Sequence, residues 1–269
     1  MVSNIGNLSK LTNKQIYFFD LDGTVYLGNS LFQGVPKLID LLRKLKKTFF
    51  FLSNNSSIST KDYLKKLNKF NLDIHRENLI LSQHPTIDYL KKNNFKKIFL
   101  LGTQSLKNEF IYEGFELTEE DPEILVLAFD QELTYNRLMK AAYFLQNESF
   151  PYIATHLDNR CPTENGYIPD AGGIAALLYK AIERMPKVFG KPNKEMLLFK
   201  LDKLSIPPKD AIIFGDRLYT DIKMGINAGI TTCCVLSGET RLEAIEMSKF
   251  KPDFIINGIW ELLEAFNKN

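Results

Sequence analysis

Four carboxylates in this chain stand where packing alone gives no reason for acid. Asp20 and Asp22 follow directly on the apolar run Ile16-Tyr17-Phe18-Phe19, and Asp216 and Asp221 come just after Ala211-Ile212-Ile213-Phe214. Both runs are β-forming and suit strands buried on both faces. At period two, Asp20 and Asp22 leave the strand end on one side, and Gly23 frees the backbone for a turn and a close approach. A third apolar run, Thr48 to Leu52, ends on Ser53-Asn54-Asn55-Ser56, whose hydroxyl, amide and N–H groups suit an anion. Lys191 is pinned between Gly190 and Pro192, with a stem long enough to reach into a cleft. Asp20, Asp22, Asp216 and Asp221 are hard oxygen donors of the kind Mg²⁺ selects. A carboxylate approaching a phosphate dianion is repelled by roughly 8 kcal/mol at 4 Å, at an effective dielectric of about 20. A divalent cation and a lysine offset that repulsion and brace the developing charge. The set therefore matches phosphoryl transfer to an aspartate.

The elements that must position these groups alternate between strand and helix. Val35, Leu38, Ile39, Leu42 and Leu45 recur at helical spacing after Gly34, with Pro36 near the start. Tyr26 to Phe32 reads as a short hairpin or flap, Lys61 to Phe70 as an amphipathic helix, and Leu79 to Leu81 as a short strand. From His84 the rhythm repeats: helix, strand at Ile98 to Leu101, helix to Glu113, strand at Ile124 to Phe129, helix at Tyr135 to Gln146, strand at Tyr152 to Ala154. The expected fold class is α/β: a doubly wound parallel sheet with a Rossmann-like core, and an inserted smaller α/β cap domain. Residues 1–90 and 186–269 are expected to form the core and 91–185 the insert. Ligands of such sheets lie beyond the carboxyl ends of the strands, where the acids are.

Inside the insert, Ala154 to Gly173 is rich in Asp, Asn, Pro and Gly, and loops of that kind commonly carry recognition. Thr155, His156 and Asp158 are its candidate substrate contacts, and Gly172 and Gly173 would let backbone approach a ligand.

In chain order, DLDGT, SNN, GKPN and GDRLYTD resemble the motifs of the haloacid dehalogenase-like phosphatases, across nearly the whole chain. The long insert, with LLGT, IATH and Pro-Asp-Ala-Gly-Gly, resembles the cap of the NagD-like, p-nitrophenyl phosphatase branch. The resemblance implies that Asp20 is the nucleophile, that Asp22 handles protons, and that Ser53, Asn54 and Asn55 bind the phosphoryl group. It implies that Lys191 bridges that group and Asp20, and that Mg²⁺ is held by Asp20, the main-chain carbonyl of Asp22 and Asp216, with Asp221 anchoring it through water. Many NagD-like relatives have Asn where this chain has His156, so their substrate preferences do not transfer directly. The resemblance further implies a substrate that is a small-molecule phosphate ester, such as a sugar phosphate or nucleoside monophosphate. It also implies a chain able to pair as a homodimer through the cap.

Composition narrows the alternatives. A formal net charge of +2 gives no strong field, so nucleic acid is not an expected partner. No apolar run approaches the ~20 residues needed to span a bilayer, and the first fourteen residues lack a signal-peptide core. No membrane partner and a cytoplasmic location are the resulting expectations. The three cysteines have no metal-ligand spacing, and Cys233 and Cys234 read as reduced core residues. A phosphotransferase or phosphomutase on the same fold, and a phospho-signal receiver that also uses acidic strand ends and a lysine, are the competing readings. The large insert and the full GDRLYTD segment favour an enzyme over a receiver.

Overall fold

The computed structural model describes residues 9–163 and 165–267; residues 1–8, part of the segment read above for a signal peptide, lie outside them. The chain divides into two compact units. One comprises the residues up to Ser53, Leu64–Ile80 and those from Lys191 on; the other comprises Asn54–Tyr63 and Leu81–Gly190. The second unit thus takes in more than the 91–185 expected for the insert. Ile87 and Leu90 explain part of this, since they pack with Ile98, Leu100, Val126 and Phe189 in one buried cluster. The chain passes between the units four times, and two of those passages fall inside motifs, at Ser53–Asn54 and Gly190–Lys191.

In chain order the first unit supplies β1 (Ile16–Asp20), the hairpin strands β2 (Tyr26–Leu27) and β3 (Ser30–Leu31), β4 (Thr48–Ser53) and β5 (Leu79–Leu81). The second contributes β6 (Lys97–Leu101), β7 (Glu116–Leu117), β8 (Ile124–Leu127), β9 (Tyr152–Ala154), the hairpin strands β10 (Arg160–Thr163) and β11 (Gly166–Pro169), and β12 (Lys187–Val188). The chain returns with β13 (Ala211–Gly215), β14 (Thr231–Val235) and β15 (Phe254–Ile256).

The larger sheet has the order β15-β14-β13-β1-β4-β5. β1 lies between β13 and β4, parallel to both. Strand order runs outward from β1 in both directions, which makes its carboxyl end the switch point where doubly wound sheets bind ligands. Every residue of β1 is buried, as its unbroken apolar run requires. Ile16 and Phe18 pack with Phe50, Leu52, Leu197, Leu201 and Ile213 in one core cluster. Phe19 stacks on Phe214 at 5.2 Å between ring centroids, on a neighbouring strand. The second sheet, β12-β9-β8-β6-β7, is parallel throughout. Doubly wound α/β architecture with an inserted α/β unit is therefore observed.

Cys233 and Cys234 are free and buried in β14. Burial pushes both thiols up, that of Cys234 to about 12, so neither is a thiolate. Among the described residues, no helix is long and apolar enough to cross a membrane.

Candidate active site

Asp20 is the last residue of β1, and its side chain receives a hydrogen bond from the Lys191 ammonium. The same Lys191 Nζ donates to Asp221 Oδ1 at 2.8 Å. Asp216 follows β13 directly, and a wide helical turn at Leu218–Ile222 then brings Asp221 back toward it. Arg217 N and Thr220 Oγ1 hold Asp221 Oδ2, at 3.2 and 3.4 Å. Asp20, Asp216 and Asp221 each offer an oxygen within 4.8 Å of the others. The turn at Leu218–Ile222 thus brings together the two acids of GDRLYTD.

Gly23 makes this cluster sterically feasible. Its φ of +89° lies in the left-handed region, and a side chain there would overlap the Asp216 carboxylate. Asp216 Oδ2 accepts from Glu239 N at 2.7 Å, whereas its Oδ1 is buried with no hydrogen-bond partner among the described residues.

Asp20, Asp216, Asp221 and Lys191 are all at least nine-tenths buried. Burial and the nearby Asp221 and Asp216 carboxylates push Asp20 well above the usual carboxylate range, against the pull of Lys191. Burial, then Asp221, pushes Asp216 up to about 6. Burial alone would lower the Lys191 ammonium, but Asp20 and Asp221 outweigh it and hold the group above its ordinary value. Three carboxylates against one ammonium leave two formal negative charges in excess when all are ionised. An orphaned carboxylate oxygen amid that excess fits a divalent cation with oxygen ligands.

Asp22 lies outside this cluster. It is exposed, and its Oδ2 accepts from the Tyr26 hydroxyl at 3.2 Å. Ser53, the last residue of β4, is buried. Asn54 Nδ2 donates to Asp158 Oδ1 at 3.0 Å, and Asn54 O accepts from Ser82 Oγ at 2.7 Å. Asn55 Oδ1 accepts from Ser57 N and Ser57 Oγ, at 2.9 and 2.7 Å, so its amide oxygen closes a local turn.

The cap residues differ most from expectation. Thr155 and His156 are both 0% exposed. His156 Nε2 lies 3.0 Å from Asp170 Oδ1, and Nδ1 lies 3.1 Å from Thr155 Oγ1 and 3.3 Å from Ser56 Oγ. Since Asp170 also accepts from Ala171 N to cap the helix Ala171–Ile182, its carboxylate is the acceptor for the Nε2 proton. The imidazole expected to reach a ligand instead fastens the loop to that helix and to Ser56. Asp158 is the one member of the trio that retains partial exposure. Gly172 is also turned inward: a side chain there would meet Leu157 O at 2.5 Å and Asp158 O at 2.9 Å.

Comparison with known proteins identifies the family. A family model described as haloacid dehalogenase-like hydrolase matches residues 17–116, and a second, described as HAD-hydrolase-like, matches 188–262. The structure is similar to that of a 4-nitrophenylphosphatase from Thermotoga maritima, with a TM-score of 0.90 and 39% identity over 96% of this chain and 98% of the other. Phosphoglycolate phosphatase 1A of Arabidopsis thaliana is 30% identical over 93% of this chain and 76% of its own length. An acid sugar phosphatase of Staphylococcus haemolyticus is 26% identical over 96% of this chain and 99% of its own.

Proposed function

Because the chain belongs to the haloacid dehalogenase-like phosphatases, in their NagD-like, p-nitrophenyl phosphatase branch, we propose that it hydrolyses small-molecule phosphate monoesters through a phosphoryl-enzyme on Asp20. One observation carries the reading. A nucleophile-ready carboxylate ends the central strand, bonded to a buried lysine, beside two further acids of which one oxygen lacks a partner.

Asp20 attacks phosphorus, and the bond to the ester oxygen breaks with its electron pair left on that oxygen. Asp22 delivers a proton to it, so an alcohol departs instead of an alkoxide. Asp22, now ionised, takes a proton from a water whose oxygen attacks the phosphorus of the aspartyl phosphate. The bond between phosphorus and the Asp20 oxygen then breaks, releasing phosphate and restoring Asp20. Lys191 keeps Asp20 and Asp221 from repelling one another and binds the phosphoryl oxygens. Ser53 and Asn54 supply donors to the same oxygens. Mg²⁺ would be held by Asp20, Asp216, Asp221 and the main-chain carbonyl of Asp22, and when bound it supplies countercharge to the phosphoryl group.

Sugar phosphates and nucleoside monophosphates are the substrate classes we propose, with p-nitrophenyl phosphate as an artificial one. Recognition of the group bearing the phosphate is assigned to the inserted unit, with Asp158 as its candidate contact. The test is phosphate release from p-nitrophenyl phosphate with Mg²⁺, followed by borohydride reduction during turnover. Conversion of Asp20 to homoserine, seen by mass spectrometry, is expected; active enzyme in which that residue is never reduced would refute the intermediate.

A further inference from the structure

The turn that carries Asp22 holds a contact that the reaction sequence above leaves unused. Tyr26 Oη donates to Asp22 Oδ2 at 3.2 Å, and Lys66 Nζ donates to Tyr26 Oη at 3.3 Å. An ammonium has donors only, so the phenol oxygen must accept from Lys66, and the phenol's single hydrogen is committed to Asp22.

The backbone makes the arrangement rigid. Gly23 N donates to Tyr26 O at 2.8 Å, and Tyr26 N donates to Leu21 O at 3.2 Å. The Tyr26 ring is fully buried and stacks on Phe70 at 5.3 Å, with the Lys66 ammonium 4.8 Å from its centroid. A phenol held this firmly, with its proton aimed at an exposed carboxylate, does more than satisfy itself.

We propose that Tyr26, and Lys66 through it, are positioning residues for Asp22. By occupying Oδ2 they confine the transferable proton to Oδ1. When the ester bond breaks, the electron pair on the leaving oxygen takes that proton from Oδ1. In the second half-reaction Oδ1 recovers one from water, and Tyr26 keeps its own proton throughout. The inference rests on the acid–base role proposed for Asp22.

Tyr26→Phe keeps the ring and its stacking and removes only the hydroxyl. Measured on glycerol 2-phosphate, whose alkoxide leaves poorly, kcat is expected to fall about five- to twenty-fold with KM within about two-fold. On p-nitrophenyl phosphate, whose phenolate leaves unaided, kcat should change less than about two-fold. Lys66→Met, which keeps an apolar stem over the ring, should show the same bias more weakly and serves if Tyr26→Phe melts early. Asp22→Asn on the same two substrates separates the two levels. If Asp22→Asn shows no leaving-group bias, the acid role itself fails. If Asp22→Asn shows the bias while Tyr26→Phe and Lys66→Met lose both substrates equally, or neither, the positioning role is overturned.

Discussion

Among the described residues, two sets have the spacing to hold a metal ion: Asp20, Asp216 and Asp221 in one unit, and His156, Asp158 and Asp170 in the other. The first set gathers at the ends of the parallel strands β1 and β13, whereas in the second His156 follows the parallel strand β9 and Asp170 the antiparallel strand β11; both sets are largely buried. They differ in how their lone pairs are used. In the second set, His156 Nε2 and Asp170 Oδ1 satisfy one another, Asp158 Oδ1 takes the Asn54 amide, and no buried side-chain atom lacks a partner. In the first, one lysine serves two carboxylates, and Asp216 Oδ1 has no hydrogen-bond partner among the described residues. Buried polar groups are ordinarily hydrogen-bonded, and each exception asks for a reason. A polar cluster at a strand end is therefore not a reactive site by composition alone; the unspent oxygen and the surplus charge distinguish one.

The largest effect should come from the first set. Asp20→Asn preserves volume but replaces the attacking oxygen with an amide, so turnover should fall by about a thousand-fold or more while the fold survives. Steady-state assays on enzyme checked by mass spectrometry for deamidation decide it, and retention of more than a few percent of activity would place the nucleophile elsewhere. Metal dependence should be nearly as severe. Excess EDTA should abolish turnover, Mg²⁺ should restore it, and Ca²⁺ should not, because it takes more ligands and longer bonds than this compact set favours. Full activity in Ca²⁺ would mean that the orphaned Asp216 oxygen has another purpose.

The second set should respond as structure responds. His156→Ala leaves Asp170, Thr155 and Ser56 each short of a partner inside a filled core, at a cost of about 2–4 kcal/mol of unfolding free energy. Denaturant titration measures that loss. Activity on p-nitrophenyl phosphate and on the best metabolite should then fall in parallel. Loss confined to the metabolite would instead make the imidazole a ligand contact, reached by displacing its present partners.

The contrast also separates what the sequence discloses from what it conceals. Acids after Ile16–Phe19 and after Ala211–Phe214 were legible because buried parallel strands read as continuous apolar runs, and their carboxyl ends are where ligands bind. His156 misled for the complementary reason. Its partners, Asp170 and Ser56, lie 14 and 100 residues away, and no periodicity reports which distant hydroxyl or carboxylate will meet a ring nitrogen. The polar stretch from Ala154 to Gly173 likewise reads as loop, yet it contains β10, β11 and the start of the helix Ala171–Ile182. Residues such as Asp170 favour caps as readily as loops. Tyr26 was legible only as part of a hairpin or flap; that its hydroxyl meets Asp22 follows from a turn whose closure the sequence signals only through Gly23.

The smallest expected effect concerns how stability depends on pH when metal is withheld. Burial and mutual repulsion raise Asp216 from 3.8 to about 6 and raise Asp20 as well. Between those pH values the folded protein holds protons that the unfolded chain has released. This contribution to stability is complete below the unfolded carboxylate range and disappears as pH rises through about 6. The displacement of Asp216 limits its own share to ~3 kcal/mol. Mg²⁺ acts in the opposite sense, because it binds the ionised carboxylates of the folded state and competes with their protons. The quantity to measure is therefore the difference in Tm with Mg²⁺ and with EDTA, which cancels every titrating group remote from the cluster. It should be small at pH 5 and reach several degrees at pH 7.5, and Asp216→Asn should flatten that rise. A difference equal at both pH values would show that no proton leaves the cluster when the cation enters, and the carboxylates would then be ionised in the folded protein whether or not metal is bound.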